Sequence, residues 1–303
     1  MSKSAGTSEP RPKGRPAKTQ KTVSVLEKHG VVDNPKSSEN QLEFAYEKPL
    51  LFKNLFKFFG NLKASMIFIR CTPTEMTFFT RDLNKKCRVI AKLPGSQVNW
   101  YYCEKTFWMG VIRTNVEKIF SRIDKSLYKI SIIKTHDNDD QIEIIFKDAE
   151  LDKDCNYKIS LSKPDDDEEL FATEKTTSEE SLNGFPVAFT LKSAQIKKSV
   201  LDISELPGNE MTIEKIGDYP LRFTHNSANV TYNETYRSSE KINLVSTVEK
   251  EKIFRATVKT TSLKSFVNAS IAQEVRIYCK AGDSIVFHSE LDALIVDTVV
   301  DVE

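Results

Sequence analysis

Apolar and polar positions alternate from Gln41 to Glu47, the period of two that a half-buried strand requires. The period then lengthens. In LLFKNLFKFFGNL, residues 50–62, a projection at about 100° per residue gathers Leu51, Phe52, Leu55, Phe56, Phe58, Phe59 and Leu62 on one broad face. Lys53, Asn54, Lys57, Gly60 and Asn61 fall opposite, which predicts an amphipathic helix whose outer face carries base and no acid. SMIFIRC, EMTFFTRD, CRVIAKL and VNWYYCEKTFWMGVI follow, rich in aromatic and β-branched residues and broken by Pro, Asn and Gly, and they read as strands. A second helix is predicted near Thr114, with Thr114 as N-cap and Glu117 completing a capping box. Val116, Ile119, Phe120 and Ile123 form its apolar stripe, while Lys118, Arg122 and Lys125 project from the other side. Strand-like YKISIIK, QIEIIFKD and CNYKISLSK end this half.

The order then recurs. VAFTL reads as a strand, and a helix over 193–204 turns Ile196, Val200 and Ile203 inward, with Lys198 opposite and Lys197 on its flank. EMTIEKIG, PLRFTHN, ANVTYNETY, INLVSTV and IFRATVKT follow, leading to a fourth helix over 261–271. Its packed side is Leu263, Phe266, Val267 and Ser270, and its outer side Lys264, Ser265 and Asn268. EVRIYCK, SIVFHSE and ALIVDTVV close the chain. Counted from the first strand of each half, helices begin about 7 and 73 residues in, then about 6 and 74. Two copies of one α+β unit are predicted, residues 41–163 and 187–303. Each has two short helices among about eight strands, antiparallel because parallel crossovers would require more helices.

The segments outside these units have another character. Residues 1–40 are rich in Pro, Gly, Ser and Lys and lack apolar periodicity, so a flexible arm is expected. Within it PRPKGRPAK, carrying Arg11, Lys13 and Arg15, resembles an AT-hook that enters the narrow minor groove of A·T-rich DNA. A nuclear targeting signal and a solubilising tail are the other readings of that segment. Residues 164–186 form an acidic connector, and between 164 and 180 eight acids stand against one base, a balance of −7 that keeps such a chain extended and exposed.

Charge decides where a partner could bind, and not whether one does. Forty-four Lys and Arg face 43 Asp and Glu, a net charge of +1, so attraction to nucleic acid must come from the placement of bases on the helices. Phosphate contacts of that kind bind without reading sequence. Five separated cysteines, none in a CxxC pair, read as reduced thiols packed in strands, with no disulfide framework. With no signal peptide and no membrane-length apolar run, an intracellular protein is expected. The four histidines form no metal motif, phosphate-binding loops are missing, and pairs such as Asp139 with Asp140 sit in a turn. No catalytic residue, metal or cofactor is predicted, and the chain is not read as an enzyme. The competing classes are a DNA-binding structural or regulatory protein acting through its N-terminal arm, and a DNA-modifying enzyme built from distant carboxylates.

On the duplicated order, the basic helices and the acidic connector, residues 41–303 resemble the proliferating cell nuclear antigen family of sliding clamps. LEFAYEKPLLFKNLF, RCTPTEMTFFTRD and FWMGVIRTNVEKIF look most like its members in asfarviruses and related large DNA viruses. The resemblance implies a fold of two tandem clamp domains with antiparallel sheets outside and four short helices lining the inner face. It implies a head-to-tail homotrimer, a polymerase processivity factor that encircles duplex DNA and also serves repair. Twelve helices about 9 Å apart would leave an opening of about 24 Å. Channel positions carried over are Lys53, Asn54, Lys57, Lys118, Ser121, Lys198, Lys264 and Asn268. Arg122, Lys125 and Lys197 join them from the helical projections. Leu201 and Ser121 stand where the family often has a base. The resemblance further implies a clamp loader, and a pocket for peptides of polymerase and other replication or repair enzymes at Met76, Phe78, Arg81, Leu170, Phe171, Val299 and Val300. Arg81 and the VVDVE ending depart from the family pattern there. A viral member would work in the host cytoplasm at replication sites, or in the nucleus.

Overall fold

The computed structural model describes residues 39–83, 85–124, 127–148, 153–163, 182, 184–238, 242–268 and 272–302. In the first half the order is β1 (Asn40–Tyr46), α1 (Leu50–Asn61), β2 (Met66–Cys71), β3 (Glu75–Arg81), β4 (Cys87–Pro94), β5 (Trp100–Cys103), β6 (Phe107–Ile112), α2 (Arg113–Phe120), β7 (Leu127–Thr135), β8 (Gln141–Asp148) and β9 (Lys153–Ser160). The second half has β10 (Val187–Lys192), α3 (Ser193–Ser204), β11 (Glu210–Ile216), β12 (Leu221–Asn226), β13 (Thr231–Tyr236), β14 (Leu244–Ser246), β15 (Ile253–Lys259), α4 (Thr260–Asn268), β16 (Glu274–Lys280), β17 (Ser284–Leu291) and β18 (Leu294–Asp301). The same order of strands and helices occurs twice. Each half carries nine strands among the described residues; the first half has one more than its strand-like runs, because VNWYYCEKTFWMGVI divides into β5 and β6.

The strands form three antiparallel sheets, with orders β5-β1-β7-β8-β9, β14-β10-β16-β17-β18-β4-β3-β2-β6 and β13-β12-β11-β15. The nine-stranded sheet crosses between the halves where β18 pairs with β4, from Ile295↔Lys92 to Val300↔Cys87. The four helices cover one face. Within the halves α1 packs on α2 and α3 on α4, and α1 meets α4 across the middle. Apolar side chains from both layers make one core, and Phe56 stacks on Phe120 at 4.3 Å while Phe58 meets Phe266 edge-on at 6.2 Å.

The α2 terminus corrects the sequence reading. The helix begins at Arg113 with Ile112 as N-cap and no side-chain cap, so Thr114 is not the capping residue. Glu117 instead forms a close ion pair with Arg113 one turn earlier. The helix ends at Phe120, and Ile123 is buried from the turn beyond it. Cys71, Cys87, Cys103 and Cys279 are buried free thiols on strands, with Cys155 partly exposed on β9. Burial pushes Cys103 up to about 11.

Candidate nucleic-acid interface

Amphipathicity fixes which side chains the helix layer presents. In α1 the residues facing the sheet, Leu51, Phe52, Leu55, Phe56, Phe58 and Phe59, are buried, and this leaves Asn54 and Lys57 exposed on the other side. The same logic exposes Lys118 on α2, Lys198 on α3 and Lys264 on α4, with Lys197 half-buried beside its neighbour. Within the bounds of the four helices there are seven Lys or Arg and two acids, in a chain whose net charge is +1. One of those acids, Glu117, is neutralised by Arg113. The helices thus carry an excess of five bases over acids, and a polyanion lying across this layer meets several ammonium groups at once.

Two predicted contacts are engaged within the protein. Lys53 is half-buried, and its Nζ donates to the carbonyl of Ile123 at 2.6 Å, binding α1 to the turn after α2. Arg122 turns away from the centre of the layer: its guanidinium lies over the Tyr157 ring at 5.8 Å and donates to the Tyr157 hydroxyl at 3.2 Å. Tyr157 belongs to β9, the edge of its sheet, so Arg122 marks the rim. At the other rim Asp202, the second of the two helix acids and exposed on α3, lies close enough to Tyr232 of β13 to help raise its pKa, after burial and Glu234. Asn268 is placed only as the last residue of α4. Arg11, Lys13, Arg15 and Lys125 lie outside the described residues.

Of the residues predicted for the peptide pocket, four are buried: Met76, Phe78, Val299 and Val300. Met76 and Phe78 point from β3 into the core, where Phe78 meets the rings of Phe52 and Phe56, and Val300 faces the same core. Val299 points outward, but Leu182 and Phe185 pack in its cluster and it is buried. Leu170 and Phe171 lie outside the described residues. Among the described residues of this set, Arg81 alone is partly exposed. The outward partner in the Phe78–Phe79 pair is Phe79, which clusters with Phe68, Ile90 and Trp108. A strand buried on both faces hides from its sequence which residue looks which way.

Among the described residues no group of three or more His, Cys, Asp or Glu is arranged to hold a metal ion, and no helix is long and apolar enough to cross a membrane.

A family model for the N-terminal domain of proliferating cell nuclear antigen matches residues 41–170. An uncharacterised protein of African swine fever virus, in a Kenyan pig isolate and in a Malawian tick isolate, is 42% identical over 288 residues, covering 94% of this chain and 95% of the relative. The crystal structure of the proliferating cellular nuclear antigen from Entamoeba histolytica superposes with a TM-score of 0.71 over 87% of this chain and 99% of that one, at 15% identity. At that identity the superposition speaks for the fold alone.

Proposed function

Because the chain belongs to the proliferating cell nuclear antigen family of clamps, we propose that three copies close head to tail around duplex DNA and tether a polymerase and other replication or repair enzymes to it. The pairing of β18 with β4 carries this reading. In the repeated order β18 corresponds to β9 and β4 to β13, so the two halves of one chain are joined by the last strand of one repeat and the fourth strand of the other. The counterparts that would make the next such joint, β9 and β13, are both sheet edges. Unpaired strand edges are templates for another chain, and a heterologous contact that repeats by rotation closes into a ring. The edges also complement each other in charge. Lys153, Lys158 and Arg122 stand on or beside β9, with Asp154 the one acid of that strand, whereas Glu234 and Asp202 stand on or beside β13.

A ring built this way turns its helix layer inward, and Lys57, Lys118, Lys198 and Lys264 face phosphates without reading bases. Such contacts hold a duplex loosely enough to slide, and their strength falls steeply with salt. A clamp loader would open one of the three joints. Viral relatives point to an infected host cell as the place of action.

The test is topological. The purified protein should run at three times the 34.5 kDa chain mass and be retained on circular DNA but lost from linear DNA of the same sequence. Reversing Lys57, Lys118, Lys198 and Lys264 to Glu should leave that mass unchanged and abolish stimulation of polymerase on long templates. A monomer at micromolar concentration, or undiminished stimulation by the fourfold variant, would overturn the proposal. Binding that instead disappears when residues 1–40 are removed, whatever the DNA topology, would assign the activity to the arm.

A further inference from the structure

Among the described residues β5 pairs with β1 alone, at the edge of its sheet. A groove of about 490 Å³ runs beside it, lined by every residue from Val98 to Glu104 together with Pro73, Gly95 and Ser96. A depression on one face of a sheet touches alternate residues of a strand, so one that touches consecutive residues follows the strand's edge. Register says which backbone groups it meets. Glu104 donates its amide to the Gln41 carbonyl at 3.0 Å, and Tyr102 stands opposite Glu43, so the amides of Trp100, Tyr102 and Glu104 address β1. Those of Tyr101 and Cys103 point the other way, into the groove. The Tyr101 hydroxyl lies 2.7 Å from the carbonyls of both Thr72 and Glu75, which fixes the strand against the turn between β2 and β3.

An open strand edge is a template for pairing, which proteins blunt with Lys, Pro or a covering segment. Three of the four residues of β5 are aromatic, and none is charged or Pro. This chain covers another edge with a segment of its own: Gly110 of β6 exchanges backbone bonds of 2.6 and 2.8 Å with Ser162, just beyond β9. The segment within reach of β5 is the N-terminal arm. Because β1 and β5 are antiparallel, with Leu42 opposite Cys103, the arm enters β1 beside the Cys103 end of β5. Its run best suited to a strand is TVSVL, residues 22–26, inside a stretch, 17–34, that contains no Pro. Residues 27–39 join that run to β1 and include Gly30, Asn34 and Pro35 for turns. Extended, they reach about 40 Å, and crossing β5 takes about 10 Å.

We propose that residues 22–26 add to the open side of β5 of the same chain as an extra strand, with the amides of Tyr101 and Cys103 donating to arm carbonyls. The chain must then run toward the Cys103 end to reach β1, so the added strand is parallel to β5 and antiparallel to β1. Tethering makes the pairing a local event at roughly millimolar effective concentration, and a few backbone bonds of about 1 kcal/mol each suffice where a separate peptide would fail. Docking leaves residues 1–21, with Arg11, Lys13 and Arg15, as the free basic end, anchored on the first half. The proposal depends on neither ring closure nor DNA binding.

Hydrogen exchange of the full chain, resolved to single amides between Trp100 and Glu104, tests this. In the wild type all five amides should exchange slowly, although β1 accounts for only those of Trp100, Tyr102 and Glu104. The double substitution Ser24→Pro and Val25→Pro removes an arm donor whichever way the strand faces. It should speed exchange at Tyr101 and Cys103 roughly tenfold or more and leave the other three amides unchanged. Ala17→Pro, outside the docking run, should change none of the five. These substitutions lie in the arm, so the urea midpoint of the two halves should stay close to the wild type's and loss of fold cannot imitate the result. Fast exchange at Tyr101 and Cys103 in the wild type, or equally slow exchange in the double variant, would refute the docking. Protection that fades as the protein is diluted would mark an arm borrowed from a second copy and overturn the assignment to the same chain.

Discussion

Lys53 and Lys57 occupy neighbouring turns of one helix and look interchangeable in sequence, yet their surroundings give them different work. Lys57 is exposed, whereas Lys53 donates to the Ile123 carbonyl and holds α1 to the turn after α2. Lys53→Met should therefore lower unfolding free energy by about 1 kcal/mol. Lys57→Met should change it by less than about 0.5 kcal/mol while flattening the salt dependence of DNA retention by about one unit of slope. Urea melts and salt titrations of the two variants separate these roles. His288 is a second residue whose partners matter more than its type. Its Nδ1 contacts the buried Asp297 carboxylate at 2.7 Å, and its Nε2 lies 3.4 Å from Glu290. The hydrogen bond to Asp297 is the chief cause raising its pKa above the ordinary histidine value, against the opposing effect of burial. A raised folded-state pKa contributes stability that is complete below the unfolded value of about 6.5 and is lost as pH climbs through the higher folded value. His288→Gln should remove that loss, so its urea midpoint should vary less than the wild type's from mildly acidic to mildly alkaline pH.

At the scale of elements, the two halves meet through β4 with β18 and through α1 with α4. The helix seam depends on one aromatic pair, Phe58 with Phe266, and Phe266 also touches Phe287 of β17 at 4.7 Å. Phe58→Ala should cost about 3–5 kcal/mol, as for other buried Phe deletions. Because the lost contact lies between the halves, unfolding should change from one transition to two. Calorimetry would show this directly, and a single sharp transition in the variant would assign the coupling to the sheet. These helices were readable from the chain because each is amphipathic over two or three turns. The split between β5 and β6 was not, since aromatic residues run through both strands and the turn between them.

For the whole molecule the decisive comparison is between a joint made inside the chain and one left open at its ends. Arg122 lies at the β9 rim over Tyr157, and Asp202 lies beside Tyr232 at the β13 rim, the two edges that the proposed ring would bring together. Arg122→Asp and Asp202→Arg should each shift native mass toward the monomer at low protein concentration, and the double reversal should restore the larger species. An exposed pair contributes on the order of 1 kcal/mol, so each single effect should read as roughly a fivefold change in dissociation constant. Sedimentation over a dilution series would measure it. Absence of rescue would separate these two residues from the joint.

Hydrophobic periodicity by itself determined that the chain is a duplicated α+β protein, where its helices lie and which of their faces are basic, because periods of 2 and 3.6 are local properties of the backbone. It could not determine which side of β3 and β18 faces the core. Those strands are apolar on both sides, and only the pairing of β18 with β4 decided that Met76, Phe78 and Val300 are enclosed while Phe79 looks outward. Pairing of β9 with β8 alone, at the edge of another sheet, decided that Arg122 belongs to a rim. Sheet register joins residues about two hundred positions apart, and no pattern along the chain encodes that distance.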